Sequence, residues 1–263
     1  MKIRAHRTIH VPRVPVLFAL VTVLAYGLLL PLTGFFWDDW PFAWLAKFLG
    51  PAEFIPAFRG FRPFLGPIFL ITTTLVPPNP LLWQILALVI RFLSALTAWF
   101  ALKQVWPQHP RQTLVVSLLF LVFPGYSQNW VALTHINQEW IPLIFYLLSF
   151  AFSTRLLRPN SPRTDAGSKP DEAEAAPPAK GAVSAIWASL RSRLPRVRVP
   201  GSVLSTLLAL LFLIAGLFPT EYFFGLEPLR FLFIWVIVSE ATAGFMPRLR
   251  ETLKHWWPYL VIW

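Results

Sequence analysis

"VPVLFALVTVLAYGLLLPLTGFF", from Val14 to Phe36, contains no charged residue. As a helix, a run of roughly 20 apolar residues is long enough to cross the ~30 Å hydrocarbon core of a bilayer. Comparable runs recur along the chain. Charged residues are only 13% of the 263, where a soluble domain carries about 25%, and the mean hydropathy is +0.58. In lipid, every backbone polar group must be satisfied internally, so only helices and closed barrels can span. The alternating ten-residue segments of a barrel are absent. The sequence therefore predicts an all-α, polytopic transmembrane helical bundle.

The basic start, "MKIRAHRTIHVPR", holds the N-terminus in the cytoplasm. The first run is too long for a signal-peptide core and lacks a small-x-small cleavage site, so it is read as a retained span. These features predict a multi-pass protein of the plasma (inner) membrane. Residues 37–64 form a first outer loop. They are rich in Trp and Phe with sparse charge, which suits interfacial helices. Phe64 to Val76 is apolar but short and closed by "PPNP", so it is read as re-entrant or interfacial.

A second span is expected from Leu81 to Leu102, and a third from Thr113 to the "FPG" at 123–125, with a kink at Pro124 as its way to lengthen. The outer loop "YSQNWVALTHINQE" leads to a fourth span, Trp140 to Ser153. A fifth runs from Ser202 to Phe218 and a sixth from Leu229 to Phe245. The last run, "WWPYLVIW", stops at Trp263 after eight residues, too few to cross. The expectation is about six full spans plus a truncated seventh, the N-terminal part of a longer protein.

Three regions follow: a membrane region over 1–158, a linker over 159–200, and a second membrane region over 201–263. The linker's "RPNSPRTDAGSKPDEAEAAPPAKG" has almost no large apolar residue and reads as disordered. The basic "SLRSRLPRVRVPG" after it suits an anionic lipid surface.

A net charge of +11 would suggest nucleic acid in a soluble protein. Here eighteen of the twenty-three Lys and Arg fall in the four predicted inner segments, residues 1–13, 103–111, 155–200 and 248–254, so the charge reports topology and no nucleic-acid partner is expected. There is no cysteine, hence no disulfide or thiol chemistry. Asp38, Asp39, Glu53, Glu139, Glu221 and Glu227 sort to the outside or its edge.

Ionisable residues at a membrane boundary are costly and often functional. A carboxylate there can take a proton from a hydroxyl or hold a divalent cation. Arginine forks bind phosphate oxygens in two-point geometry. Asp38 and Asp39, flanked by Trp, are the leading candidates for chemistry; the competing reading is a solvated helix end. Arg59 and Arg62 divide evenly between interfacial anchoring and phosphate binding. Glu221 divides between site and helix cap. Glu227 and Arg230, spaced i, i+3, are positioned to pair on a helix. Arg91 stands mid-span in "LLWQILALVIRFLSAL" and must face the bundle interior, with a Glu or backbone partner expected. His135 reads as a loop polar group, and Glu139 divides between site and loop.

A cytoplasmic basic start, a first span and then an acidic pair, "WDDW", resembles the opening of GT-C-type glycosyltransferases, which use polyprenyl-phosphate sugars. "FRPF" looks like the Arg-Pro element of their first outer loop, and "NPLLWQILALVIRFLSALTAWFAL" like their second span. The resemblance implies a hexosyl or pentosyl transfer from a polyprenyl-phosphate donor to a glycan, lipid or protein acceptor, with inversion. It implies Asp38 or Asp39 as general base, Glu221 completing the site, and Arg59, Arg62 or Arg230 on the donor phosphate.

The metal stays open. Some branches need a divalent cation such as Mg or Mn, for which Asp38 and Asp39 would be the ligands, and others need none. Many relatives have His where Arg91 stands, and the chain ends before the C-terminal part that completes the enzyme, so this portion alone is expected to be incomplete. The alternatives are a transporter of lipid-linked substrates, expected to show paired broken helices and an internal repeat, neither of which the sequence shows, and a non-catalytic multi-pass protein.

Overall fold

A computed structural model describes residues 13–123, 130–158 and 201–263. The basic start up to residue 12, the Pro124 kink with the first part of its loop, and the 159–200 linker lie outside the described residues. Among the described residues the chain is helical throughout, with no strand. α1 spans Arg13–Thr22 and continues through a π-helical turn, Val23–Gly27, and a 3₁₀ turn, Leu30–Leu32. α2 (Asp39–Phe48), α3 (Phe54–Phe58) and α4 (Leu65–Leu75) are short. α5 is the longest, Pro80–Val105, and α6 is Pro110–Leu121. α7 (Ala132–His135) runs through a second π turn, Ile136–Trp140, into α8 (Ile141–Leu157). α9 (Gly201–Leu217), a 3₁₀ stretch Glu221–Leu226, α10 (Glu227–Ala241) and α11 (Phe245–Ile262) complete the chain.

Four stretches are long and apolar enough to cross a membrane: Val14–Leu32, Pro80–Val105, Ala132–Leu157 and Glu221–Ala241. α4, α6 and α9 are shorter apolar helices. α5 begins where sequence chemistry says it should. Asn79 caps it by accepting from the amides of Leu81 and Leu82, and Pro80 sits in the first turn, where its missing N–H leaves no bond unmade.

Helix directions follow from side-chain contacts. Tyr146 near the start of α8 meets Glu227 at the start of α10, and Arg158 just past α8 meets Glu240 near the end of α10. These two helices are therefore parallel. α5 runs with them, since Arg91 meets Trp140 and Val105 accepts from Arg158. α9 opposes α8, with Ser149 donating to the Ala209 carbonyl. The two helices touch backbone to backbone at Gly216, where a Cβ would come within 2.7 Å of Tyr146 N and 2.8 Å of the Pro142 oxygen. Close approach at a small residue is how helices associate when lipid is the solvent. The bundle thus has an upper end, carrying α2 to α4, α7 and the 221–226 stretch, and a lower end near 106–109, 158 and 242–244.

Two expectations change. The fourth span was expected to begin at Trp140 after an irregular loop; helix already begins at Ala132. Val131, just before α7, makes no side-chain cap; the cap comes from Asp39, distant in sequence (below). The segment "MPRLRETLKHWWPYLVIW" was expected to split into an inner basic stretch and a stub. It forms the single helix α11, with Pro258 inside it. α11 lies antiparallel along α10: Phe245 meets Trp235, and Trp263 at the far end donates to the Phe224 carbonyl. Gly244, at φ 87°, supplies the left-handed turn that reverses the chain.

Candidate functional site

The acidic pair occupies two opposite environments. Asp39 is fully buried. Its Oδ2 accepts from the Ala132 amide at 2.9 Å and its Oδ1 from the Thr134 amide at 2.8 Å. These are N–H groups of the first turn of α7, which has no partner within its own helix for them. Asp39 therefore caps a helix 93 residues away. Burial pushes its pKa upward, against the bonds from Thr134 and Ala132.

Asp38 is exposed at the start of α2. The turn before it holds Trp37 at φ 45°, a strained value for a bulky residue. Trp37, Trp40, Trp44 and Phe48 are all exposed. Their spacing in α2 puts Trp40, Trp44 and Phe48 on one face, while Asp39, Ala43 and Ala46 pack inward. Aromatic rings presented this way suit the lipid headgroup layer.

Arg62 and Glu221 join across the upper end. Arg62 Nε donates to Glu221 Oε2 at 3.1 Å, and Nη2 donates to Oε1. The guanidinium also lies 5.3 Å from the centre of the Tyr222 ring. Hydrogen bonding to Glu221 holds Arg62 more firmly in its charged form. Arg59 is exposed one turn away.

Arg230 lies elsewhere. It is completely buried, donates to Glu227 Oε1 at 2.7 Å and to Ser153 Oγ at 3.1 Å, and sits over the rings of Tyr259 and Phe150. Glu227 also accepts from Tyr146 and from Trp256 at 3.2 Å. This network ties α8, α10 and α11 together. The predicted site residues thus fall into three partner sets: Asp39 with the start of α7, Arg62 with Glu221, and buried Glu227 with Arg230. His135 and Glu139 pair at 3.1 Å on α7 and its π turn.

Both oxygens of Asp39 face amide N–H groups of α7. Among the described residues no group of three or more His, Asp or Glu side chains is placed to hold a metal ion.

Sequence reasoning singled out Arg91 but not its surroundings. It is buried at mid-α5, its guanidinium 4.4 Å from the Tyr26 ring centre and 5.4 Å from that of Trp140. The rings of Tyr26 and Trp140 are among its partners. The two rings come from the two π turns, one in each flanking span. Arg91 lines a cavity of about 260 Å³ with Tyr26, Leu29, Thr33, Gln84 and Trp130 among its walls. The spacing of Gln84 and Arg91, two turns apart on one face of an apolar helix, was the available signal. No known protein family matches the chain, and neither a characterised protein nor a solved structure is significantly similar to it.

Proposed function

We propose that the chain is the membrane portion of a GT-C-type glycosyltransferase that moves a sugar from a polyprenyl-phosphate donor to an acceptor at the upper, outer face. In this reading α6 and α9 complete six crossings, which the alternating helix directions favour, and the N-terminus is cytoplasmic in the plasma membrane. Asp38 is the general base. It takes the acceptor's hydroxyl proton as the acceptor oxygen bonds to the anomeric carbon with inversion. The bond from that carbon to the phosphate oxygen breaks, and the electron pair leaves with the polyprenyl phosphate. Arg62, held by Glu221, and Arg59 offer the charge that receives it. Asp39 acts as a positioning residue and Arg230 as part of the bundle's internal network.

One observation carries this reading. Asp39 fixes the turn, so that Asp38 is presented, exposed, on a shelf of Trp side chains. The test uses the full-length protein, with polyprenyl-phosphate mannose, glucose and arabinose as donors. A general base contributes about 10²–10⁴-fold, so Asp38→Asn is expected to lower transfer by at least ~100-fold at unchanged melting temperature. Transfer at the wild-type rate in that variant removes Asp38 from the mechanism, and no transfer from any donor by the wild type removes the reading.

A transporter of lipid-linked substrates is the second reading. It draws on the π turns within two spans beside a buried arginine, since π turns are frequent at functional sites. It predicts that substrate movement is insensitive to Asp38→Asn.

A further inference from the structure

The cavity beside Arg91 has no part in the proposed transfer chemistry. We propose that it is a lateral binding site for the head group of an anionic membrane lipid. Several independent features point there. Arg91 is twelfth of the 26 residues of α5, so its Cα lies about 17 Å along the helix from Pro80. Ionisable residues at such depth are rare and often line binding sites or cavities. Two aromatic rings hold it in place. Tyr26 is itself fixed, its hydroxyl donating to the Leu121 carbonyl at 2.7 Å, and Trp140 approaches from the other span. Each ring is delivered by a π turn, and π turns within α-helices are frequent at functional sites.

Between Arg91 and the upper end, Gln84 donates to the carbonyls of Gly34 at 3.1 Å and Trp130 at 2.6 Å. The side wall is different in kind. Ala25 and Leu29 are cavity-lining residues that are exposed on the outside of the bundle. In a bilayer that opening meets acyl chains, not water. An occupant must therefore be anionic at one end and apolar at the other. The volume, about 260 Å³, falls just below the roughly 300–1,000 Å³ of sites that enclose a whole drug-sized ligand. It suits a phosphate-sized head with its tails outside. The inference does not depend on sugar transfer, and its test has no activity readout.

The full-length protein is reconstituted in neutral dioleoylphosphatidylcholine nanodiscs and titrated with dioleoyl phosphatidic acid, dioleoylglycerol or inorganic phosphate, and bound lipid is counted by native mass spectrometry. The wild type is expected to hold phosphatidic acid at least tenfold more tightly than dioleoylglycerol. Arg91→Gln abolishes that preference and Arg91→Lys keeps part of it. Ala25→Phe, which fills the mouth and leaves Arg91 in place, weakens phosphatidic acid binding and keeps the test open if Arg91→Gln does not fold. Equal binding of the two lipids by the wild type overturns the proposal. So does a preference that survives in folded Arg91→Gln or is unaltered in Ala25→Phe. Displacement of phosphatidic acid by equimolar inorganic phosphate overturns the lipid as occupant and leaves a free-anion site.

Discussion

Arg91 and Arg230 are both buried in apolar helices, yet the protein treats them differently. Arg230 has a carboxylate three residues before it on the same helix, at 2.7 Å, and α8 and α11 enclose the pair. Arg91 lies between two aromatic rings on the wall of a cavity that opens sideways. The first arrangement fills its space with protein and fastens three helices. The second keeps space beside the cation. Burial of a charge is therefore not one signal: what surrounds the charge separates a fastening from a site.

The largest expected effect tests the fastening. Glu227→Gln leaves Arg230 buried beside a neutral group, and breaking a buried pair costs about 3–5 kcal/mol. Thermal unfolding in detergent should show that loss, and the double variant Glu227→Leu with Arg230→Met should recover most of it. Arg91→Met should lose less, about 2 kcal/mol for a desolvated cation over rings. Equal losses at the two sites would break the comparison.

Next in size is the contact between α8 and α9. Gly216→Ala drives a methyl into backbone that cannot yield cheaply, and overpacking of this kind costs about 1–3 kcal/mol. The same unfolding measurement reads it, and an unchanged melting temperature would mean that the helices have room to part.

The acidic pair sharpens the contrast at the upper end. Asp39→Asn can still accept one amide but turns an NH₂ toward the other, for about 1–3 kcal/mol, whereas exposed Asp38→Asn should stay within about 0.5 kcal/mol. pH gives an independent check. Folded Asp39 has its pKa raised above the ordinary 3.8, so the folded state binds the proton first as pH falls. Wild-type stability relative to Asp39→Asn should therefore rise on acidification from the raised value down to about 3.8. A flat difference across that range would mean that the amide bonds offset burial, and a fall would mean that they outweigh it.

The smallest effect belongs to Arg62 and Glu221. Glu221's side chain is 62% exposed, and surface pairs couple by about 0.2–1 kcal/mol. A double-mutant cycle should find that coupling and see it shrink in high salt.

Much of the architecture is written in local pattern. Apolar runs, the Asn79-Pro80 start of α5, the aromatic first loop and the short α4 are all legible, because helix length, capping and hydropathy act over neighbouring residues. The pairing of Glu227 with Arg230 is also local, being one helical turn apart.

Tertiary structure decided the rest, for one physical reason: partners distant in sequence satisfy groups that look alike in the chain. Asp38 and Asp39 are adjacent and chemically identical, and only the amides of Ala132 and Thr134 make one a cap and leave the other exposed. α7 starts early because of that same bond. α11 forms one helix because α10 offers it a full-length partner. Arg91 is recognisable in sequence as a charge that needs company, but its rings come from two π turns in other spans, a geometry that no local pattern specifies.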